Sequence, residues 1–351
     1  MQDYFLSANS KDGFFDLYPK VFDNRAFDRI FVIYGGPGTG KSTLMRRLAQ
    51  SAEKSGAQTE FFHCSSDLSS LDGVILSYGD KQVGILDGTL PHARAITVPA
   101  VREEIWDICQ FWNGDKLRTQ AKEIERMLEQ KKRKYRKAYA FLHAAGTLHE
   151  EGLEMSAEDF HFAKARQTIK RKLPHLTRSG EKKERLLRCF AMQGEGILSP
   201  LPKSVSSLLY LQGDECSAEH YLSVFLSVLR EEKKEHVVFR SPLCPSQADG
   251  IFFPATGVLL IKAKLADKSQ NSRGIHLSRF ELTEGGDKRI RKQLLRQEYG
   301  LLEEACSALG EVGEEHFALE KIFSSAMNFN AMKKQSILWE KQMLSALGIM
   351  S

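Results

Sequence analysis

No stretch of this sequence approaches the roughly eighteen consecutive apolar residues of a membrane-spanning helix, so no transmembrane segment is expected. The opening residues, Met1-Gln2-Asp3-Tyr4-Phe5-Leu6, place no basic region before a long apolar run, and a secretory leader is not expected either. Cysteine is sparse. The six residues at 64, 109, 189, 216, 244 and 306 form no CxxC pair, which argues against a zinc site and fits reduced thiols. What is present is ordinary for a globular chain: 42% hydrophobic and 27% charged residues, in 351 residues, enough for two cores. The expected location is the cytoplasm.

The net charge of +5 is unevenly distributed. Residues 116–188 hold 20 Lys and Arg against 10 Asp and Glu, so the rest of the chain is acidic overall. The densest run is Lys131-Lys132-Arg133-Lys134-Tyr135-Arg136-Lys137, and a patch of this kind can face nucleic acid. Apolar or small residues nevertheless recur at 117, 121, 124, 128, 135, 138 and 142, with Lys131 taking one slot of the series. That is the stripe of a helix packed on a neighbour. Its charges are expected to point to water, and a nucleic-acid partner is not favoured.

Arg29-Ile30-Phe31-Val32-Ile33-Tyr34 reads as a buried strand, and the helical pattern after it has apolar residues at 44, 45, 48, 49 and 52. Between them Gly35-Gly36-Pro37-Gly38-Thr39-Gly40-Lys41-Ser42-Thr43 matches G-x-x-x-x-G-K-[ST]. Strand, glycine loop, helix is the context that this phosphate-binding pattern requires. The glycines let backbone N–H groups approach phosphate oxygens, and the helix start adds its unpaired donors. Lys41 is expected to reach the β- and γ-phosphates of a nucleoside triphosphate, and Ser42 to ligate Mg²⁺.

Gln82-Val83-Gly84-Ile85-Leu86-Asp87 is an apolar strand closing on a carboxylate, and Asp87 is the expected second Mg²⁺ group. No acidic residue directly follows it. Asp67, after the strand Thr59 to Cys64, is the candidate base or water-orienting residue, whereas Asp72 reads as a turn cap beside Gly73. The loop Gly88-Thr89-Leu90-Pro91-His92-Ala93-Arg94 leaves the carboxyl end of a core strand, so His92 and Arg94, or Arg102 beyond, are candidates to approach the γ-phosphate.

The chain also repeats itself. Gly13 and Pro19-Lys20 recur as Gly196 and Pro202-Lys203, the strand into Gly35 recurs as Leu208 to Gln212 into Gly213, and Asp72-Gly73-Val74-Ile75 recurs as Asp249-Gly250-Ile251-Phe252. Val83 to Leu86 recurs as Val258 to Ile261, and Gly114-Asp115-Lys116 as Gly286-Asp287-Lys288. The offsets drift steadily, as small deletions after a duplication would cause. The second copy lacks the phosphate pattern: Ala218-Glu219-His220 stands opposite Gly40-Lys41-Ser42, and Lys262 opposite Asp87. A glutamate ~4 Å from phosphate oxygens would cost on the order of several kcal/mol in a partly dry site.

With these segments in hand, the chain resembles a little-characterised bacterial family of tandem P-loop ATPases. The resemblance rests on GGPGTGKST at 35–43, HCSSDLSSLDGV at 63–74 and LDGTLPH at 86–92. It implies ATP binding and hydrolysis and a fold of two P-loop NTPase units, often with both loops intact; the degenerate second loop departs from this. The expected fold is therefore α/β, a three-layer sandwich with a mostly parallel sheet, tandemly duplicated. Residues 1–178 would form the intact unit with a helical hairpin at about 116–173, and residues 184–351 the degenerate one with C-terminal helices. The expected cofactors are ATP and Mg²⁺, adenine being favoured because no N/T-K-x-D guanine-reading tetrad follows the core. A Mg-dependent ATPase acting as a switch or energy-coupling module is the leading expectation. A small-molecule or nucleotide kinase acting on an acceptor substrate, and a non-hydrolysing scaffold for a protein or nucleic-acid partner, are the alternatives.

Overall fold

The computed structural model describes residues 2–91, 94–198, 204–266, 272–282 and 288–349. The first half runs β1 (Gln2–Phe5), β2 (Ser7–Ser10), β3 (Gly13–Asp16), α1 (Tyr18–Val21), β4 (Arg29–Tyr34), α2 (Lys41–Lys54), β5 (Gln58–His63), β6 (Leu71–Tyr78), β7 (Lys81–Asp87) and β8 (Glu103–Asp107). The helices α3 (Gly114–Arg118), α4 (Ala121–Ala157) and α5 (Phe162–Lys172) follow. The second half repeats the series as β9 (Lys182–Arg185), β10 (Arg188–Ala191), β11 (Gly194–Ile197), β12 (Ser207–Gln212), α6 (Glu215–Glu231), β13 (His236–Arg240), β14 (Ala248–Phe253), β15 (Val258–Lys262) and β16 (Ser272–His276). It ends in α7 (Lys288–Ser325) and α8 (Phe329–Ala346).

Two six-stranded sheets result, ordered β1-β5-β6-β7-β4-β8 and β9-β13-β14-β15-β12-β16. The pairing matches strand for strand, with β5–β6 and β6–β7 antiparallel like β13–β14 and β14–β15, and the other three pairs of each sheet parallel. Even the irregularity recurs, at Phe62/His63 and at Phe239/Arg240. The architecture is α/β and compatible with a duplicated unit. Three of the five pairs in each sheet are parallel, as expected, but the two antiparallel pairs make each sheet mixed. The reason lies in the connections, since parallel neighbours need a long crossover, whereas β6 turns directly into β7 through Gly79 (φ +59°) and Asp80.

Strand alternation divides the core. In β4, Phe31 and Ile33 face α2, whereas Ile30 and Val32 join a cluster shared with Val237, Phe239, Phe252, Leu259 and Ile261 of the other sheet. The two sheets therefore meet through their inner apolar faces, with α1 and Phe22 between them, and each carries helices outside. Tyr4 stacks on Phe239 at 6.1 Å and Phe5 bridges Leu186. Four layers replace the expected three.

The helices cross between the halves. α5 packs on α6, and α8 packs on α2 and β7, where Trp339 stacks on Trp106 at 5.3 Å and Trp106 on Phe31 at 4.3 Å. α4 and α7 lie side by side through Ala138, Leu142, Ala145, Ala305, Ala308 and Leu309. Both helices run unbroken through glycines, α4 at Gly146 and α7 at Gly310 and Gly313. The glycines serve close approach: a Cβ at Gly146 would meet Lys11 Cβ at 2.5 Å, and one at Gly313 would meet Met192 Cβ at 3.1 Å. The polar segment 178–183 leads into the second sheet, its last two residues, Lys182 and Lys183, opening β9. The expected repeats at Pro202-Lys203 and Gly286-Asp287 lie outside the described residues.

Candidate functional site

The glycine loop of residues 35–40 joins β4 to α2, and Gly40 caps α2 in the left-handed region at φ +83°. Such a cap leaves the first amides of α2 unpaired and directed out of the helix end. Gly38 is also left-handed, at φ +68°, and a Cβ there would lie 2.4 Å from the Glu320 carbonyl oxygen of α7. Only glycine fits that contact. Gly36 is likewise covered by Trp112, 2.9 Å from a built Cβ.

A cavity of about 720 Å³ opens over this loop. Pro37, Thr39, Lys41, Ser42, Thr43, Asp67, Asp72 and Asp87 line its floor, while Lys131 and Tyr135 of α4 and His316 and Glu320 of α7 line its roof. Lys41 Nζ lies 3.4 Å from Asp87 Oδ2 and donates to the carbonyls of Gly35 and, at 2.8 Å, Gly36. The other Asp87 oxygen accepts from Thr89 N at 2.8 Å and Thr89 Oγ1 at 2.5 Å. Burial pushes the Asp87 carboxyl above its usual range; Lys41 opposes this and Asp72 reinforces it. Ser42 Oγ accepts from Leu71 N at 3.0 Å, which ties it to the start of β6.

Asp72 is where sequence reading fell short. It is buried in β6 rather than capping a turn, and the β6–β7 pairing of Gly73 with Leu86 sets it beside Asp87. The signal available in the sequence was the repeat, which aligned Asp72 with Asp249. Asp67 also lines the cavity, but its Oδ1 accepts from Ser69 N (3.1 Å), Ser69 Oγ (2.9 Å) and Gln193 Nε2 (2.7 Å). Burial raises its carboxyl, yet hydrogen bonds from Ser70, Ser69 and Gln193 outweigh that and hold it below the usual range. Such a carboxylate is a poor proton acceptor.

Arg94 is placed elsewhere than expected. Its guanidinium donates to Glu103 Oε1 at 2.8 Å, the Phe22 carbonyl at 2.5 Å and Asn24, so it clasps the β7–β8 loop to the core. Arg102 similarly donates to the Phe27 carbonyl at 2.6 Å. His92 lies outside the described residues.

The second half holds the equivalent positions with reversed charge. In the sequence repeat Glu219 of α6 and Lys262 of β15 align with Lys41 and Asp87, and they pair at 2.6 Å, although Glu219 lies in the second turn of its helix whereas Lys41 opens α2. Lys262 Nζ is also 3.2 Å from Asp249, which Arg188 grips at 2.6 and 3.2 Å. His149 of α4 bridges Glu219 at 2.9 Å and Glu298 of α7 at 3.1 Å. All six side chains are buried. In place of the glycine loop, the Asp214 carboxylate caps α6 by accepting from Cys216 and Ser217 N–H. The end that would receive an anion is already occupied by a carboxylate.

A family model described as Nephrocystin 3, N-terminal, matches residues 16–145, from β3 into α4 and across the glycine loop. Neither the curated proteins nor the solved structures contain a significant match. Among the described residues no helix is long and apolar enough to cross a membrane.

Proposed function

We propose that the chain is a P-loop NTPase-type protein that binds Mg-ATP in the first half and hydrolyses it slowly, as a switch or energy-coupling module, with a degenerate second copy. The observation that carries the reading is the convergence of the glycine loop, Lys41, Ser42, Asp72 and Asp87 on one cavity at the start of a fourteen-residue helix. The loop amides and Lys41 would hold the phosphates. Among the described residues no group of three His, Cys, Asp or Glu side chains is set to hold a metal alone. The hard oxygens of Ser42, Asp72 and Asp87 nevertheless suit Mg²⁺, which ordinarily completes its shell with phosphate and water. When bound, that ion would neutralise charge on the transferred phosphoryl group. Lys41 must leave the Gly35 and Gly36 carbonyls to reach a phosphate.

In the second copy the reversed Glu219–Lys262 pair excludes a triphosphate and leaves a structural or regulatory part for that half. The kinase alternative loses its base, because three donors already occupy Asp67. Melting of the full chain with and without Mg-ATP tests the proposal. The wild type and Glu219→Gln should each gain stability with nucleotide, Lys41→Ala should not, and phosphate should appear without any acceptor. No shift in the wild type at millimolar Mg-ATP, or an equal one in Lys41→Ala, would refute the reading.

A further inference from the structure

The two long helices repeat at a constant spacing of 167 residues. Ala138 matches Ala305, Leu142 matches Leu309, Gly146 matches Gly313, and His149 matches His316; the caps of the following helices, His161 and Asn328, keep the same spacing. By that spacing Lys131 matches Glu298. Side by side, α4 carries Lys131 to the first site and His149 to the second, while α7 carries Glu298 to the second and His316 to the first.

In the second half this arrangement closes. His149 presents Nε2 to Glu219 and Nδ1 to Glu298, so one imidazolium joins two carboxylates; their hydrogen bonds outweigh burial and raise it to about 10. In the first half the groups that the sequence repeat aligns with these carboxylates are both cations, Lys41 for Glu219 and Lys131 for Glu298. His316 again uses Nδ1 on its neighbour, 3.0 Å from Lys131 Nζ. An ammonium can only donate, so Nδ1 accepts and Nε2 carries the proton. Burial and the adjacent Lys131 ammonium push this imidazole down to about 4, so it is neutral at pH 7. Its Nε2–H points towards Glu320 Oε1 at 3.6 Å, beyond hydrogen-bonding distance, and that same oxygen accepts from Gly38 N at 3.3 Å. Lys131 interrupts the apolar stripe of α4; burial lowers its ammonium, and the Glu320 carboxylate is among the groups that oppose this.

The charge pattern thus calls for the opposite kind of bridge. Where a cation joins Glu219 to Glu298, an anion fits between Lys41 and Lys131. We propose that Lys131 and His316 contact the terminal phosphate of a bound nucleoside triphosphate, Lys131 as countercharge and His316 Nε2–H as donor, with the Glu320 carboxylate displaced from Gly38. The proposal rests on the glycine loop being the nucleotide site. It makes the terminal phosphate a group that both α4 and α7 contact over the loop, and the same two helices hold His149 and Glu298 in the other half.

Calorimetric titration of the full chain with Mg-AMPPNP and with Mg-ADP tests this. The wild type should prefer the triphosphate. Lys131→Met should weaken Mg-AMPPNP about tenfold, the loss of one charge-assisted contact, while leaving Mg-ADP unchanged. Lys131→Arg should restore the preference, and His316→Gln, which keeps an acceptor and a donor, should retain more of it than His316→Phe. Thermal melts establish that each variant is folded. If Lys41→Ala abolishes both titrations while Lys131→Met alters neither, or alters both equally, the nucleotide site stands and this proposal falls. If the wild type binds neither nucleotide, both fall.

Discussion

Lys262 is the most informative side chain to remove, because it is almost fully buried and lies within ion-pair distance of three carboxylates, the most distant being Glu215 at 3.9 Å, which keeps Lys264. Its ammonium is 2.6 Å from Glu219 and 3.2 Å from Asp249. At an effective dielectric of about 20, an attraction at ~4 Å is worth on the order of 4 kcal/mol, largely offset by the desolvation of both ions. Breaking a buried pair costs about 3–5 kcal/mol, since the partner is left charged without its countercharge. Glu219 keeps His149 and Asp249 keeps Arg188, so Lys262→Met should cost about 3 kcal/mol, the lower end. Glu219→Gln should also destabilise. The double variant removes both charges and should be less damaging than the sum, with a coupling on the order of 2 kcal/mol. Urea denaturation at pH 7 measures this through the midpoint at constant m-value. Far-UV circular dichroism follows both halves, whereas Trp106, Trp112 and Trp339 all pack against the first half, so coincidence of the two signals tests whether the halves unfold together. Additive single-variant losses would show that the charge-reversed pair is not a unit, and would refute the reasoning.

Three further outcomes follow from the same geometry. His149 is raised from its ordinary 6.5 to about 10, so its contribution is fully present below pH 6.5 and is lost as pH rises through 10; His149→Gln should flatten the decline in melting temperature between neutral and alkaline pH, and an unchanged slope would count against the bridge. Gly38→Ala should cost on the order of 1–3 kcal/mol in backbone strain alone, and the collision with the Glu320 carbonyl should also loosen α7 and weaken Mg-ATP binding, as melting and titration would reveal. Arg94→Ala should lower the melting temperature without selectively lowering phosphate release, because the guanidinium holds Glu103, Phe22 and Asn24; a loss of turnover at unchanged stability would place it at the site after all.

Much of this was legible in the residues. The strand before Gly35, the helix from Lys41 and the strand closing on Asp87 all appear where the apolar pattern puts them, because each is a local element with a clear hydrophobic period. The repeat was readable from short matches, and the two identical strand orders agree with it. Asp72 and Arg94 were misread for one reason. A carboxylate before a glycine and an arginine in a loop look alike whether they face a cavity or a neighbouring strand, and register alone decides which.

The sequence by itself determined the local chemistry: the glycine loop, the two lysine–carboxylate positions with their exchanged signs, and the α/β alternation. Only the tertiary structure decided that the sheets meet face to face, that α5 and α8 each pack against the opposite half, and that α7 lays His316 and Glu320 over a loop almost three hundred residues earlier in the chain. Periodicity records which face of a helix is apolar. It carries no record of which of two similar partners that face will cover, and here the two halves offer nearly the same surface twice.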